Sequence, residues 1–167
     1  MDKLYIEEAK RMYASAKKLG LNIFIQQYKS KGDWVKNAAI KAQFLLDCRL
    51  KFSGPILYVD VDALFHNDPT EYLLNLDCDI AVHFDCQDHH LMSGTILLNE
   101  TPKTEELLRK WVELCHNQLD MWDQKALELI LEENPDIRCS RLPVVFCWVF
   151  DRVYNFSFKG DSPIYIE

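Results

Sequence analysis

The sequence predicts an α/β domain, a mainly parallel sheet flanked by helices, with some antiparallel pairing toward its end. Three observations predict it. Segments with apolar residues at helical spacing alternate with short runs rich in β-branched residues. The run Ile56-Leu57-Tyr58-Val59 is apolar throughout, as expected of a strand buried on both faces of a parallel sheet. The chain has 167 residues, which suits one compact domain, and no internal repeat or low-complexity linker divides it.

Taken in order, residues 4–18 carry apolar groups at helical spacing and predict a helix that stops at Gly20. Residues 21–25 form a short run with β-branched members and predict a strand, followed by a polar turn over residues 29–33. Residues 37–52 read as helix again, with Ala39, Ile40, Phe44, Leu45 and Cys48 toward one side and Gly54-Pro55 as the break. The strand of residues 56–59 runs straight into Asp60-Val61-Asp62. Asp68-Pro69 starts a short helix that reaches Leu74, and residues 80–84 and 95–98 predict two more strands. Thr101-Pro102 opens a helix to about Asn117, with Thr101 as N-cap and Pro102 at the first helical position, where its missing N–H has no intrahelical partner to lose. Residues 123–133 predict another helix. Residues 137–142 and 144–150 read as extended, and beyond Gly160 and Pro163 lies a final short strand at residues 164–166.

Charge and cysteine usage narrow the partners. Lys plus Arg number 19 against 26 Asp plus Glu, a net charge of −7, and no basic block occurs; nucleic acid and anionic membranes are therefore poor matches as partners. A nucleoside diphosphate remains compatible if a divalent metal supplies the positive charge. The six cysteines (Cys48, Cys78, Cys86, Cys115, Cys139 and Cys147) are widely and irregularly spaced without a CxxC, and read as free thiols of a reducing, cytoplasmic-type compartment. The charged N-terminus is not a signal peptide, and no apolar run approaches the length of a membrane span.

Asp60 and Asp62 carry the chemistry. Ligand sites in open α/β sheets form beyond the carboxyl ends of the strands, and this pair sits there. Two carboxylates one residue apart converge on a hard cation if the backbone turns between them; such a cation keeps oxygen coordination, bridges diphosphate oxygens and neutralises a departing diphosphate. The alternative is an N-cap or a solvated loop pair. The apolar strand before and Ala63-Leu64-Phe65 after favour the cation, since carboxylates flanked by core need a partner. Asp85, also at the end of a strand, is a candidate for sugar or acceptor contact, or simply a loop carboxylate.

Four segments then show a resemblance. "GPILYVDVDALFHNDPTEYL" resembles the strand, DxD and short helix of GT-A nucleotide-diphospho-sugar transferases. "MSGTILLN" (residues 92–99) resembles the strand that lines the donor sugar in glycogenin and galactosyltransferase-like members. "WDQKALELIL" (residues 122–131) resembles their Asp-Gln helix start, and "GDWVKNAAIKAQFLL" the stretch before the DxD, where a basic residue faces the donor. The resemblance spans roughly residues 5–166 in the family's order. It implies a GT-A-like (Rossmann-like) fold and a metal-dependent glycosyltransferase that moves a sugar from a nucleoside diphosphate donor, UDP-sugar favoured, to a hydroxyl acceptor. It implies Mn²⁺ or Mg²⁺ on Asp60 and Asp62, with Asp62 favoured as direct ligand, and Lys41 near the diphosphate or sugar. Ser93 and Gly94 would line the sugar, and Asp123 and Gln124 would lie near its reacting carbon and the acceptor. Taken singly, Lys41 is equally a solvated helix lysine, Ser93-Gly94 a turn before a strand, and Asp123 an N-cap.

The resemblance also implies an upstream base-gripping strand and a metal-binding His after the last strand. The chain begins at the following helix and stops at Ile166-Glu167, so the expectation is one domain over residues 1–167 without those two elements. It is then a trimmed transferase, a fragment of a longer chain, or one whose site an oligomer or partner completes. A glycogenin-like likeness favours retention of configuration; inversion would take Asp123 or Asp85 as base, within about 3 Å of the acceptor hydroxyl. Three other readings remain. One is a catalytically inactive GT-A-like binding protein. Another is a haloacid-dehalogenase-like phosphatase with Asp60 as nucleophile and Asp62 as acid/base, though Leu64 stands where that motif has Thr or Val. The third is a zinc module drawn from Cys78, His83, Cys86, His89 and His90.

Overall fold

The computed structural model describes residues 3–32, 34–85, 88–118, 121–149 and 163–167. The predicted positions Asp33, Cys86, Phe150 and Gly160 lie outside them. In chain order the elements are α1 (Lys3–Lys18), α2 (Trp34–Lys51), β1 (Ile56–Val59), α3 (Thr70–Leu74), β2 (Ile80–Phe84), β3 (Leu91–Leu98), α4 (Pro102–Asn117), α5 (Asp123–Glu133), β4 (Cys139–Arg141) and a 3₁₀ turn, Val144–Phe146. The α/β class holds.

The four strands lie in the order β1-β3-β2-β4. β3 is antiparallel to both β1 and β2, and β2 is parallel to β4. Three strands thus share one direction, as a mainly parallel sheet requires, but the reversed strand sits between β1 and β2. Antiparallel hydrogen bonding therefore lies at the centre of the sheet as well as toward the end of the chain, where Ile166 bridges Phe65 antiparallel. The reason is local: only residues 85–90 separate β2 from β3, enough for a hairpin but too few for the crossover that a parallel pair needs.

Side chains alternate across the sheet. Ile80, Val82, Ile96 and Leu98 point into one core with Leu45 of α2, Leu108 and Trp111 of α4, and Leu127 of α5. Ala81 and Leu97 face the opposite core, with Leu73, Val145, Phe146 and Ile166. Thr101 caps α4 as expected, its hydroxyl accepting the Thr104 N–H at 3.1 Å.

Three local expectations are corrected. Residues 21–25 do not form a strand; Phe24 packs instead on the rings of Phe44 and Phe52, at centroid distances of 6.2 and 5.2 Å. β1 is consequently an edge of the sheet, and its four residues are only partly buried, not enclosed on both faces. Residues 144–146 turn as 3₁₀ after Pro143, not as extended chain. The C-terminal residues return to the loop after Asp62: Phe65 bridges Ile166 antiparallel, and Leu64 and Glu167 exchange N–H···O bonds of 2.7 and 3.0 Å. Among the described residues no helix is long and apolar enough to cross a membrane. Cys48, Cys78, Cys115, Cys139 and Cys147 are free thiols.

Candidate functional site

The carboxyl end of β1 and the first half of β3 lie side by side. The Asp60 N–H bonds the Gly94 carbonyl at 2.9 Å, continuing the β1–β3 ladder by one residue. The chain then turns, closed by the Ala63 N–H on the Asp60 carbonyl at 3.1 Å. The backbone thus bends between Asp60 and Asp62.

Lys41, from α2, is the centre of the cluster. Its Nζ lies 3.2 Å from Asp60 Oδ1 and 3.0 Å from Asp123 Oδ2, and donates to the Ser93 carbonyl and Oγ at 3.2 and 3.1 Å. Only 14% of its side chain is exposed, so it is no solvated helix lysine. Burial pulls its pKa down, but the carboxylates of Asp60 and Asp123 outweigh that and raise it, keeping the ammonium charged. Its three N–H groups face four acceptors, so none is left over for a ligand without breaking a contact.

The remaining residues fall in around it. Asp123 occupies the first position of α5, after Trp122 at the N-cap; it is not the cap, and its buried carboxylate also accepts the Ser93 hydroxyl at 3.2 Å. Negative charge in the first turn of a helix is favoured by the macrodipole. Trp111, through its indole N–H, holds the Asp123 carbonyl at 2.8 Å. Gln124 accepts the Ser93 N–H at 3.4 Å, which leaves its NH₂ as the group able to meet a ligand. Ser93 and Gly94 lie within β3 itself, four residues earlier than the strand was expected to start, and not in a turn before it. A Cβ built on Gly94 would lie 3.4 Å from Asp60 Oδ2, so the missing side chain leaves that oxygen uncovered. Asp62 is exposed. Asp85 ends β2 with its N–H on the His90 carbonyl and is not among the residues that Lys41 gathers.

Two features escaped the sequence reading. Tyr58 donates its hydroxyl to Asp60 Oδ1 at 2.6 Å, and its ring lies 5.2 Å below the Lys41 ammonium. Burial, then the Asp60 carboxylate, push its pKa well above the ordinary phenol, so it stays a donor. Strand alternation was the available signal, since Tyr58 and Asp60 are two residues apart on one face. The second is a cavity of about 380 Å³ beside Val61, walled by Tyr5 and Tyr13 of α1 and by Gln26, Gln27 and Tyr28. The Tyr28 hydroxyl is buried and has no hydrogen-bond partner among the described residues.

The donor set fits a hard cation only in a particular way. Among the described residues no three His, Cys, Asp or Glu side chains gather to hold a metal by themselves. Asp60 and Asp62 offer oxygens alone, suited to an ion that takes its other ligands from water and phosphate. The Lys41 ammonium faces two carboxylates, Asp60 and Asp123, leaving an excess of negative charge at the end of β1.

A profile for nucleotide-diphospho-sugar transferases matches residues 11–164. No curated protein gives a significant match. Among solved structures, a glycosyltransferase involved in glycosylation of the major capsid of PBCV-1 superposes with a TM-score of 0.70 at 11% identity, over 89% of this chain and 82% of its own. GlyE of Streptococcus pneumoniae TIGR4, in its apo form, gives 0.68 at 17% identity, over 99% of this chain but 51% of its own. The galactosyltransferase LgtC, in complex with donor and acceptor sugar analogs, gives 0.57 at 13% identity over 99% and 84%. An active-site LgtC mutant with glutamate in place of glutamine gives 0.59 at 14% identity, with the same coverage. At these identities the likeness shows the fold, that of GT-A glycosyltransferases.

Proposed function

The chain belongs to the nucleotide-diphospho-sugar transferase family, and from that premise we propose that it moves a sugar from a nucleoside diphosphate, UDP favoured, to a hydroxyl acceptor. The observation that carries the reading is the Lys41 cluster. A lysine buried from α2 ties Asp60 at the end of β1, Ser93 in β3 and Asp123 at the start of α5 to one point, where all four come from the family-like segments.

In this scheme Asp60 and Asp62 hold Mn²⁺ or Mg²⁺, which on binding supplies the charge that stabilises a leaving diphosphate. Lys41 acts as organiser. Because its N–H groups are committed to Asp60, Ser93 and Asp123, it fixes where the two carboxylates stand and does not itself grip the diphosphate. Tyr58 holds Asp60 from beneath. Gly94 leaves room for the sugar beside Asp60 Oδ2, and Ser93 lines the same edge. Asp123 and Gln124 face the reacting carbon and the acceptor. The cavity beside Val61 receives the nucleoside, its tyrosine walls suited to a planar base and its glutamines to the polar edge.

The test is release of nucleoside diphosphate from UDP-, GDP- and CDP-sugars in the presence of Mn²⁺. Wild-type protein should turn over one of them, and Asp62→Asn should lose at least about 100-fold in kcat/KM, equivalent to about 2.7 kcal/mol. Asp62 is exposed, so the variant should fold normally. Equal rates for the two proteins would remove the cation-binding role.

A further inference from the structure

β3 loses its neighbours where the site begins. Between the pairs Val82↔Ile96 and His83↔Met92, β2 advances one residue while β3 advances four, so Ser93, Gly94 and Thr95 have no partner on β2. Such bulges re-aim side chains beside active sites. On the other side the β1 ladder ends at Val59↔Thr95, extended only by the Asp60 bond to Gly94. The Asp85 N–H bonds the His90 carbonyl at 2.8 Å, and pairing alternates along an antiparallel ladder, so the Leu91 N–H turns away from β2. Leu91 and Ser93 thus present two N–H groups on an edge that no strand covers among the described residues.

Side chains of α5 cover it. Glu128 Oε1 accepts the Leu91 N–H at 3.3 Å, and Gln124 Oε1 accepts the Ser93 N–H at 3.4 Å. The spacings match, since four helical residues rise about 6 Å and two strand residues about 6.6 Å. Residues four apart share a helix face, so the pair works as a two-rung substitute for a strand. Glu128 is braced for this: its side chain is buried, His90 Nδ1 lies 3.3 Å from Oε1 and Lys125 Nζ 2.8 Å from Oε2.

We propose that Glu128 is a positioning residue of the transfer reaction: by gripping Leu91 it sets the distance between α5, which carries Asp123 and Gln124, and the Ser93–Gly94 stretch beside Asp60. This rests on the transferase reading above. The diphosphate is held from the β1 end, so a shift of α5 slows the transfer step more than it weakens donor binding.

Three variants test it, each measured for donor turnover per folded molecule and for amide hydrogen exchange at Leu91 and Ser93. Glu128→Asp keeps the charge and loses the reach. Its kcat should fall about tenfold or more, since a misplacement of about 1 Å can cost about 100-fold, while KM for the donor stays within about threefold. Its Leu91 and Ser93 amides should exchange faster. Glu128→Gln still offers a carbonyl to Leu91 and should recover to within about threefold of wild type, with protected amides. Lys125→Ala, which removes one brace but leaves the Glu128 contact to Leu91 in place, should slow kcat by less than Glu128→Asp does and keep the Leu91 amide protected. Wild-type kcat in Glu128→Asp, unchanged exchange at Leu91, or Glu128→Gln as slow as Glu128→Asp would overturn the proposal. A wild-type protein that turns over no donor overturns the transferase reading instead, and amide exchange then still decides whether Glu128 holds this edge.

Discussion

At the scale of single residues, the site is an arrangement of opposite charges around one ammonium. Asp123 is buried and Asp60 is 42% exposed, so Lys41 compensates the carboxylate that water cannot reach and steadies the one to which the proposed function gives a ligand. Gly94 belongs to the same logic. Its backbone is ordinary strand, and an added methyl would make only van der Waals contact, at 3.4 Å from Asp60 Oδ2. Gly94→Ala is therefore expected to leave stability within about 0.5 to 1 kcal/mol of wild type in urea unfolding. It should raise the donor KM by about tenfold, equivalent to about 1.4 kcal/mol of lost binding. Unchanged KM in the folded variant would show that the space above Asp60 is not where the donor lies. The Asp pair and Lys41 were legible because their chemistry and order are carried by short segments. Tyr58 was not picked out, because a tyrosine in an apolar run looks like core until its strand face is known.

Among the elements, α2 begins three residues before the expected start, while α1, α4, α5, β1 and β2 were read almost to the residue, since 3.6-residue and two-residue periodicities are local properties. The β2–β3 hairpin was not. Its turn lacks the Asn-Gly or Gly pair that announces hairpins; His89 adopts the left-handed conformation, φ 60°, in the place where glycine is usual. β3 was therefore started at Thr95, and Ser93-Gly94 looked like a turn. Residues 21–25 failed in the opposite direction: β-branched composition favours strands, but strands also need a pairing edge, and aromatic packing on α2 holds these residues instead. The join of β2, β4 and α4 makes an acid-sensitive point. Burial alone would push the Asp79 carboxyl up, yet the Arg138 N–H at 2.8 Å, its guanidinium and the Thr101 hydroxyl at 2.8 Å outweigh it and hold the pKa below the ordinary range. A depressed carboxyl contributes stability above its unfolded pKa of about 3.9 and loses it as pH falls through the lower folded value. Asp79→Asn should thus cost about 1 to 3 kcal/mol at pH 7, with the gap to wild type narrowing as the pH falls below about 4. A pH-independent gap in urea midpoints would place the effect in packing rather than in the ionised bonds.

For the molecule as a whole, the reversed strand β3 explains why the site forms where it does. The carboxyl ends of β1 and β2 and the amino end of β3 share one margin of the sheet, and α2 and α5 bring Lys41, Asp123 and Gln124 to it from the helical layer. That margin carries Asp60 and Asp123 against Lys41 in a protein of net charge −7, and under the proposed function a diphosphate binds there only with a cation at hand. Thermal unfolding of wild type and Asp62→Asn with Mn²⁺ alone, UDP-sugar alone and both together tests this dependence directly. With donor at about 100 times its Kd the stabilisation is about 2.7 kcal/mol, a rise in Tm of about 5 to 10 °C for a chain of this size. The account predicts that rise only for wild type with both components present. A full shift from the nucleotide sugar without metal, or an equal shift in Asp62→Asn, would contradict it.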